Sequence, residues 1–170
     1  MCYKKTFEIG VIVNWDSSEV VASVTIDEDN YTYDNIISSA FEIVKEFEDF
    51  EHISEDDCNY DIRITDSYLE DIGITSSDEL EDFGDVFYSD DNSYEYDVFE
   101  AAYACDIPFE NIDEYYNGRW NSDEEFAQDM CDQLGEIPKD LPSYIHIDWE
   151  MTAKEIMYDY VESNGHYFRQ

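Results

Sequence analysis

Apolar residues alternate or cluster at the start of this chain in a way that predicts a β-hairpin. Phe7-Glu8-Ile9-Gly10-Val11-Ile12-Val13 and Val20-Val21-Ala22-Ser23-Val24-Thr25-Ile26 are β-branched runs, and the turn-rich Asn14–Glu19 stretch separates them. Thr32 then stands where a helix would be capped. The residues Ile37, Ala40, Phe41, Val44 and Phe47 follow it at helical spacing, which predicts one amphipathic helix. Tyr60-Asp61-Ile62-Arg63-Ile64-Thr65 returns to a period of two and predicts a third strand.

The period lengthens after residue 66. Ser76-Ser77-Asp78-Glu79 has the form of a capping box, and Leu80, Phe83 and Phe87 make the apolar stripe behind it. A second helix is expected from about Asn92 or Ser93, with Val98, Ala101, Ala102 and Cys105 inward. Pro108 is suited to a first helical turn. Asn117-Gly118 reads as a turn. Ser122-Asp123-Glu124-Glu125 is a second capping box, opening a helix with Phe126, Ala127, Met130, Cys131 and Leu134 buried and Gly135 as its stop. Pro138 and Pro142 bracket a connection. A helix over 148–158 with Ala153, Ile156 and Met157 inward follows, then a turn at Ser163-Asn164-Gly165 and a strand His166–Arg169. The fold class is therefore α+β, in three small domains: a sheet-plus-helix domain over 1–66, a central acidic helical domain over 67–117, and an α+β domain over 118–170.

Charge changes this picture. The 170 residues hold 45 Asp and Glu against 8 Lys and Arg, a net charge of −37, together with 43% hydrophobic residues and 16% aromatics. Acidic chains that stay unfolded are poor in aromatics, so this one is expected to fold. The segments 1–60, 61–108 and 109–170 carry 15 acidic residues each, against 3, 1 and 4 basic ones, giving nets of −12, −14 and −11. Between Arg63 and Arg119 lie 55 residues with no Lys or Arg, 17 of them acidic. No tail holds the charge. Self-repulsion on this scale destabilises a compact state, so the charge is expected to serve a partner that is basic or that normally binds a polyanion.

Conventional chemistry finds little purchase. Calcium loops started at Asp27 or Asp90 lack the glycine at position 6 and the glutamate at position 12. His52, His146 and His166 are scattered, as are Cys2, Cys58, Cys105 and Cys131, so no zinc spacing is present. With 6 glycines the chain has no phosphate-binding loop and no nucleophile elbow. Pairs of carboxylates are inevitable among 45 of them and carry no information about glycoside hydrolysis. The reading is of a non-enzymatic protein without metal or cofactor. Its cysteines are expected to be reduced thiols of a cytoplasmic protein. Neither a membrane span nor a signal peptide is expected from it.

Duplex DNA carries one charge per about 1.7 Å of axis, so 37 charges match roughly 63 Å of duplex. A compact globule of this size is only about 40 Å across. A chain whose charges track DNA must therefore be elongated, and three domains in a row supply that length.

The segment Phe126-Ala127-Gln128 … Ile137-Pro138-Lys139-Asp140-Leu141-Pro142-Ser143-Tyr144-Ile145-His146-Ile147-Asp148-Trp149-Glu150 … Ala153-Lys154 … Tyr158 … Tyr167-Phe168-Arg169 resembles the ending of the ArdA antirestriction proteins of phages and mobile elements. The stretch Tyr60–Tyr68 is also similar. Trp149 and Lys154 stand where the family pattern has Tyr and Arg, and the segment around Asn14 has no counterpart in it. The resemblance implies an elongated three-domain α+β homodimer, joined through its C-terminal domain, in the cytoplasm of a bacterial host. It implies a mimic of bent DNA that binds the specificity and modification subunits of type I restriction–modification enzymes and blocks them.

On that reading the chain itself binds neither nucleic acid nor membrane. The carboxylates expected to replace phosphates are Asp66, Glu70, Asp71, Asp78, Glu79, Glu81, Asp82, Asp85, Asp90, Asp91, Glu95, Asp97, Glu100, Asp113, Glu114, Asp123, Glu124, Glu125, Asp129 and Asp132. The candidates for an apolar dimer contact are Ile137, Leu141, Tyr144, Ile145, Ile147 and Trp149, which could instead fill the domain's own core. The alternative function is an acidic inhibitor or chaperone of another DNA-binding protein, such as a nucleoid protein, a different nuclease or a CRISPR effector. A halophile enzyme whose acidity is environmental is a weaker rival.

Overall fold

The hairpin forms as its pattern predicts, and slightly longer. In the computed structural model, which describes residues 6–89, 93–138, 140, 142 and 144–170, β1 (Phe7–Trp15) and β2 (Ser18–Ile26) pair antiparallel across a tight turn at Asp16-Ser17. β3 (Asn59–Ile64) pairs on the other side of β1, giving the order β2-β1-β3. The inner face carries Phe7, Ile9, Val11, Val13, Ala22, Val24 and Ile26, all buried. Against it packs α1 (Tyr33–Val44), with Thr32 at its N-cap position but with no hydrogen bond from the Thr32 side chain. The helix turns Ile36 inward rather than Ile37, and it ends before Phe47, which is exposed. Ala40, Phe41 and Val44 are buried as expected, so the stripe differs at its two ends alone.

Two further helices complete this part. α2 (Ser67–Asp71) is capped by the Asp66 carboxylate, which accepts from the backbone N–H groups of Tyr68 and Leu69. α3 (Ser77–Phe87) opens with the full capping box of Ser76 and Glu79 and buries Leu80, Phe83, Gly84 and Phe87. Phe83 and Phe87 stack with centroids 4.9 Å apart and meet Phe7 of β1. Gly84 is required by a close approach: a Cβ built on it would clash with the Cδ2 edge of the Tyr31 ring. Alanine at an ordinary helical glycine gains about 0.5–1 kcal/mol, whereas overpacking costs about 1–3 kcal/mol. Overpacking wins here, because Tyr31 is held by a stack on Tyr88 and by its hydroxyl. Gly84→Ala should therefore lower stability in urea titration. A stabilised variant would show that the Tyr31 ring does not occupy that space.

The chain divides into two compact units, Met1–Tyr94 and Glu95–Gln170. The helices of the middle third are thus shared out, α2 and α3 falling in the first unit and the next two in the second. α4 (Tyr96–Ala104) buries Val98, Phe99, Ala101 and Ala102, with Cys105 at its C-cap. The expected start at Asn92 lies outside the described residues, and Ser93 precedes the helix. Pro108 precedes a 3-10 turn (Phe109–Asn111) that leads into the short α5 (Ile112–Tyr115).

The second sheet corrects the sequence reading in two places. Asn117-Gly118 is no turn but lies inside β4 (Tyr116–Arg119), where the register shifts and Gly118 takes a φ of 130°. A strand with no sequence forecast, β5 (Tyr160–Ser163), follows the stretch expected to be helical and pairs with β6 (His166–Arg169), so that the sheet runs β4-β6-β5. α7 (Trp149–Ile156), capped by Asp148, ends two residues short of the expected 158. α6 (Asp123–Leu134) stops at Gly135 in the left-handed conformation, as its sequence predicts. It buries Phe126, Ala127 and Cys131, while Leu134 is 66% exposed. Both units are α+β. Among the described residues no helix is long and apolar enough to cross a membrane.

Candidate functional site: the carboxylate surface

None of the 43 described aspartates and glutamates is buried; among the described residues that can carry charge at neutral pH, His166 is buried. Four ion pairs with Lys or Arg are present among the described residues: Lys45–Glu42, Arg63–Asp61, Arg119–Asp97 and Lys154–Glu150. All are at the surface, where such pairs contribute about 0–1 kcal/mol. The negative charge is left facing solvent.

The first unit places Asp66, Glu70, Asp71, Asp78, Glu79, Glu81, Asp82 and Asp85 on α2 and α3 or at their caps. The second places Glu95, Asp97 and Glu100 on or beside α4, Asp113 and Glu114 on α5, and Asp123, Glu124, Glu125, Asp129 and Asp132 on α6. Asp90 and Asp91 lie outside the described residues. On α3, Asp78, Asp82 and Asp85 share one stripe at i, i+4 and i+7, and Glu125, Asp129 and Asp132 do the same on α6. Neighbours on such a stripe are about 5–6 Å apart at Cβ.

Several of these carboxylates have structural partners. Glu79 accepts from the Thr75 and Ser76 N–H groups and the Thr75 hydroxyl, and donation from the Thr75 backbone is the main reason its pKa falls below the usual glutamate range. Ser122 caps α6 by accepting from the Glu125 N–H. The Glu125 carboxylate, however, reaches the backbone and side-chain amides of Asn121 rather than the Ser122 N–H, so the second capping box is half formed. The Asn121 side chain is the main cause of the lowered Glu125 pKa, and the Ser122 hydroxyl is that for Glu124.

Three anchors come from distant sequence. Tyr31 donates to Asp85 at 2.9 Å, Tyr167 donates to Asp123 at 2.8 Å, and Asp97 meets both Arg119 at 3.0 Å and His166 Nε2 at 3.2 Å. The bond to Asp85 raises the Tyr31 pKa; burial first, and then Asp123, raises that of Tyr167. Glu70, Asp71, Asp82, Glu95, Glu100, Glu114 and Asp132 have no side-chain hydrogen bond or ion pair among the described residues.

Helix dipoles separate the charges that help the fold from those that oppose it. Acids in the first turns of α3 and α6 are favourable. Asp85 and Asp132 sit in the last turns, where the dipole disfavours an anion, and neither last turn holds a basic residue. Asp132→Lys should stabilise by about 0.3–1 kcal/mol through the dipole and reduced repulsion. Thermal unfolding would check this. A lowered melting temperature would show that Asp132 supports the fold.

The dimer candidates divide. Tyr144 and Ile145 are 79% and 46% exposed, Ile137, Ile147 and Trp149 are half-buried, and Leu141 lies outside the described residues. Leu134, Met151 and Tyr158 add further exposed apolar surface in this unit.

Among the described residues no group of three or more His, Cys, Asp or Glu is placed to hold a metal ion. Cys58, Cys105 and Cys131 are free thiols whose pKa values are raised, chiefly by burial, which disfavours the nucleophilic thiolate. No family model, curated protein or solved structure matches the chain.

Proposed function

We propose that this protein is a non-enzymatic stand-in for DNA that occupies the DNA-binding groove of a type I restriction–modification complex and blocks it. One observation carries the reading: all 43 described carboxylates reach solvent, and four Lys or Arg ion pairs offset them among the described residues. Asp132, in the last turn of α6 against the dipole and without a side-chain partner among the described residues, supports it, because it serves the fold poorly. The target class rests on the resemblance of residues 126–169 to the ArdA ending. In this proposal the molecule is elongated and homodimeric, and Tyr144 and Ile145 supply exposed apolar area of the kind a dimer contact uses.

The test is a DNA cleavage assay with a purified type I complex, in which the protein is titrated against fixed enzyme and fixed substrate. Inhibition at near-stoichiometric protein is expected. Unimpaired cleavage at large excess, with stable capture of a different DNA-binding protein, would replace the target and leave the polyanion reading; binding to no DNA-binding protein would overturn both.

A further inference from the structure

The core layer of the first sheet stops short at β3. On β1, Ile9, Val11 and Val13 are at most 1% exposed, yet their registered partners on β3, Ile64, Ile62 and Tyr60, are only half-buried. β3 pairs with β1 alone, and no other described segment hydrogen-bonds to its backbone. A groove of about 370 Å3 lies there, lined by residues 61–64 of β3 on one side and by Glu70, Ile74 and Thr75 on the other. Its wall thus combines an open strand edge, which offers alternating N–H and C=O groups, with isoleucine side chains.

Charge selects the occupant. Asp61 and Glu70 are exposed at the groove; its one cation, Arg63, is already engaged by Asp61 at 2.9 Å. A second copy is a poor occupant, because β3 opens the most acidic third of the chain, net −14 over 61–108, and edge-to-edge pairing would bring two such segments together. We propose that this groove binds an extended basic segment of a partner protein, added as a fourth strand to β3. Main-chain hydrogen bonds would supply affinity. Alternate apolar side chains would cover the half-buried Ile62 and Ile64, and lysines or arginines would reach Asp61 and Glu70. This inference shares Glu70 with the phosphate-mimicking set but rests on the strand edge, which phosphate mimicry does not need.

Any cationic peptide will adhere to a protein of this charge, so the experiment must separate strand addition from simple attraction. Two fluorescein-labelled nonapeptides of alternating valine and lysine serve as probes of the full chain. They are identical except that one is N-methylated at every residue and cannot pair with an edge. The unmethylated peptide is expected to bind at least about tenfold more tightly, and to slow hydrogen exchange of the amides over 59–64. Glu70→Lys, an exposed change without a partner to disrupt, is expected to weaken that binding several-fold while changing the affinity for oligolysine less than about twofold. Equal affinity for the two peptides, or protection that spares β3, would overturn the proposal.

Discussion

Phe126→Ala should cost about 3–5 kcal/mol of stability, the range for deleting a fully buried aromatic ring. Phe126 is 0% exposed and stands at the centre of the second unit's aromatic core. Its ring lies 4.9 Å from Trp120, 4.9 Å from Tyr160 and 4.4 Å from Tyr167. Those partners come from the approach to α6, from β5 and from β6, so a single ring ties a helix to the sheet. A domain is typically stable by only about 5–15 kcal/mol, and this one also bears uncompensated repulsion, so the loss should leave the second unit close to unfolding. Urea denaturation followed by tryptophan fluorescence in a Trp15→Phe background, which leaves Trp120 and Trp149 of the second unit, would measure it. A cost below about 1 kcal/mol would mean that the cluster is not packed as described. The prediction bears on function because α6 presents the Glu125, Asp129 and Asp132 stripe.

The second large effect is collective. Neutralising Asp78, Glu79, Glu81, Asp82 and Asp85 together, as amides, should slow association with a basic DNA-binding groove by about tenfold or more, whereas each amide alone should change it little. Amides suit the test, since Gln can keep the capping-box role of Glu79 and Asn at 85 can still accept from Tyr31. The variant should stay within about 1 kcal/mol of the parent, because relief of like-charge repulsion along the helix offsets the lost first-turn charges of Asp78 and Glu79. Stopped-flow association with a restriction–modification complex would read the rate, and thermal unfolding the stability. Loss of inhibition from one substitution, with none from all five, would indicate a local site instead of a distributed one.

Local chemistry made much of this protein readable from its sequence. The β1–β2 hairpin, the Ser76–Glu79 box and the Gly135 stop are specified by residues within a few positions of one another, and all three are present. Errors fall where tertiary pairing decides. Tyr160–Ser163 is four residues long and becomes a strand by pairing with β6, and Gly118 marks an irregularity inside β4 where its dipeptide signals a turn. The candidate site follows the same division. Its carboxylates could be read from the sequence because charge must face water, but their anchors could not. Tyr31 lies 54 residues from Asp85, and Tyr167 lies 44 from Asp123, and no spacing rule connects them.

The central claim is that this surface takes the place of DNA, and competition tests it most directly. A purified type I restriction–modification complex holding a fluorescent duplex would be titrated with the protein at several salt concentrations. The account predicts full displacement of the duplex, with an affinity that falls about 10³-fold between 50 and 200 mM salt if six or more carboxylates occupy phosphate positions. A ternary complex of enzyme, duplex and protein, formed without loss of affinity for either ligand, would contradict it.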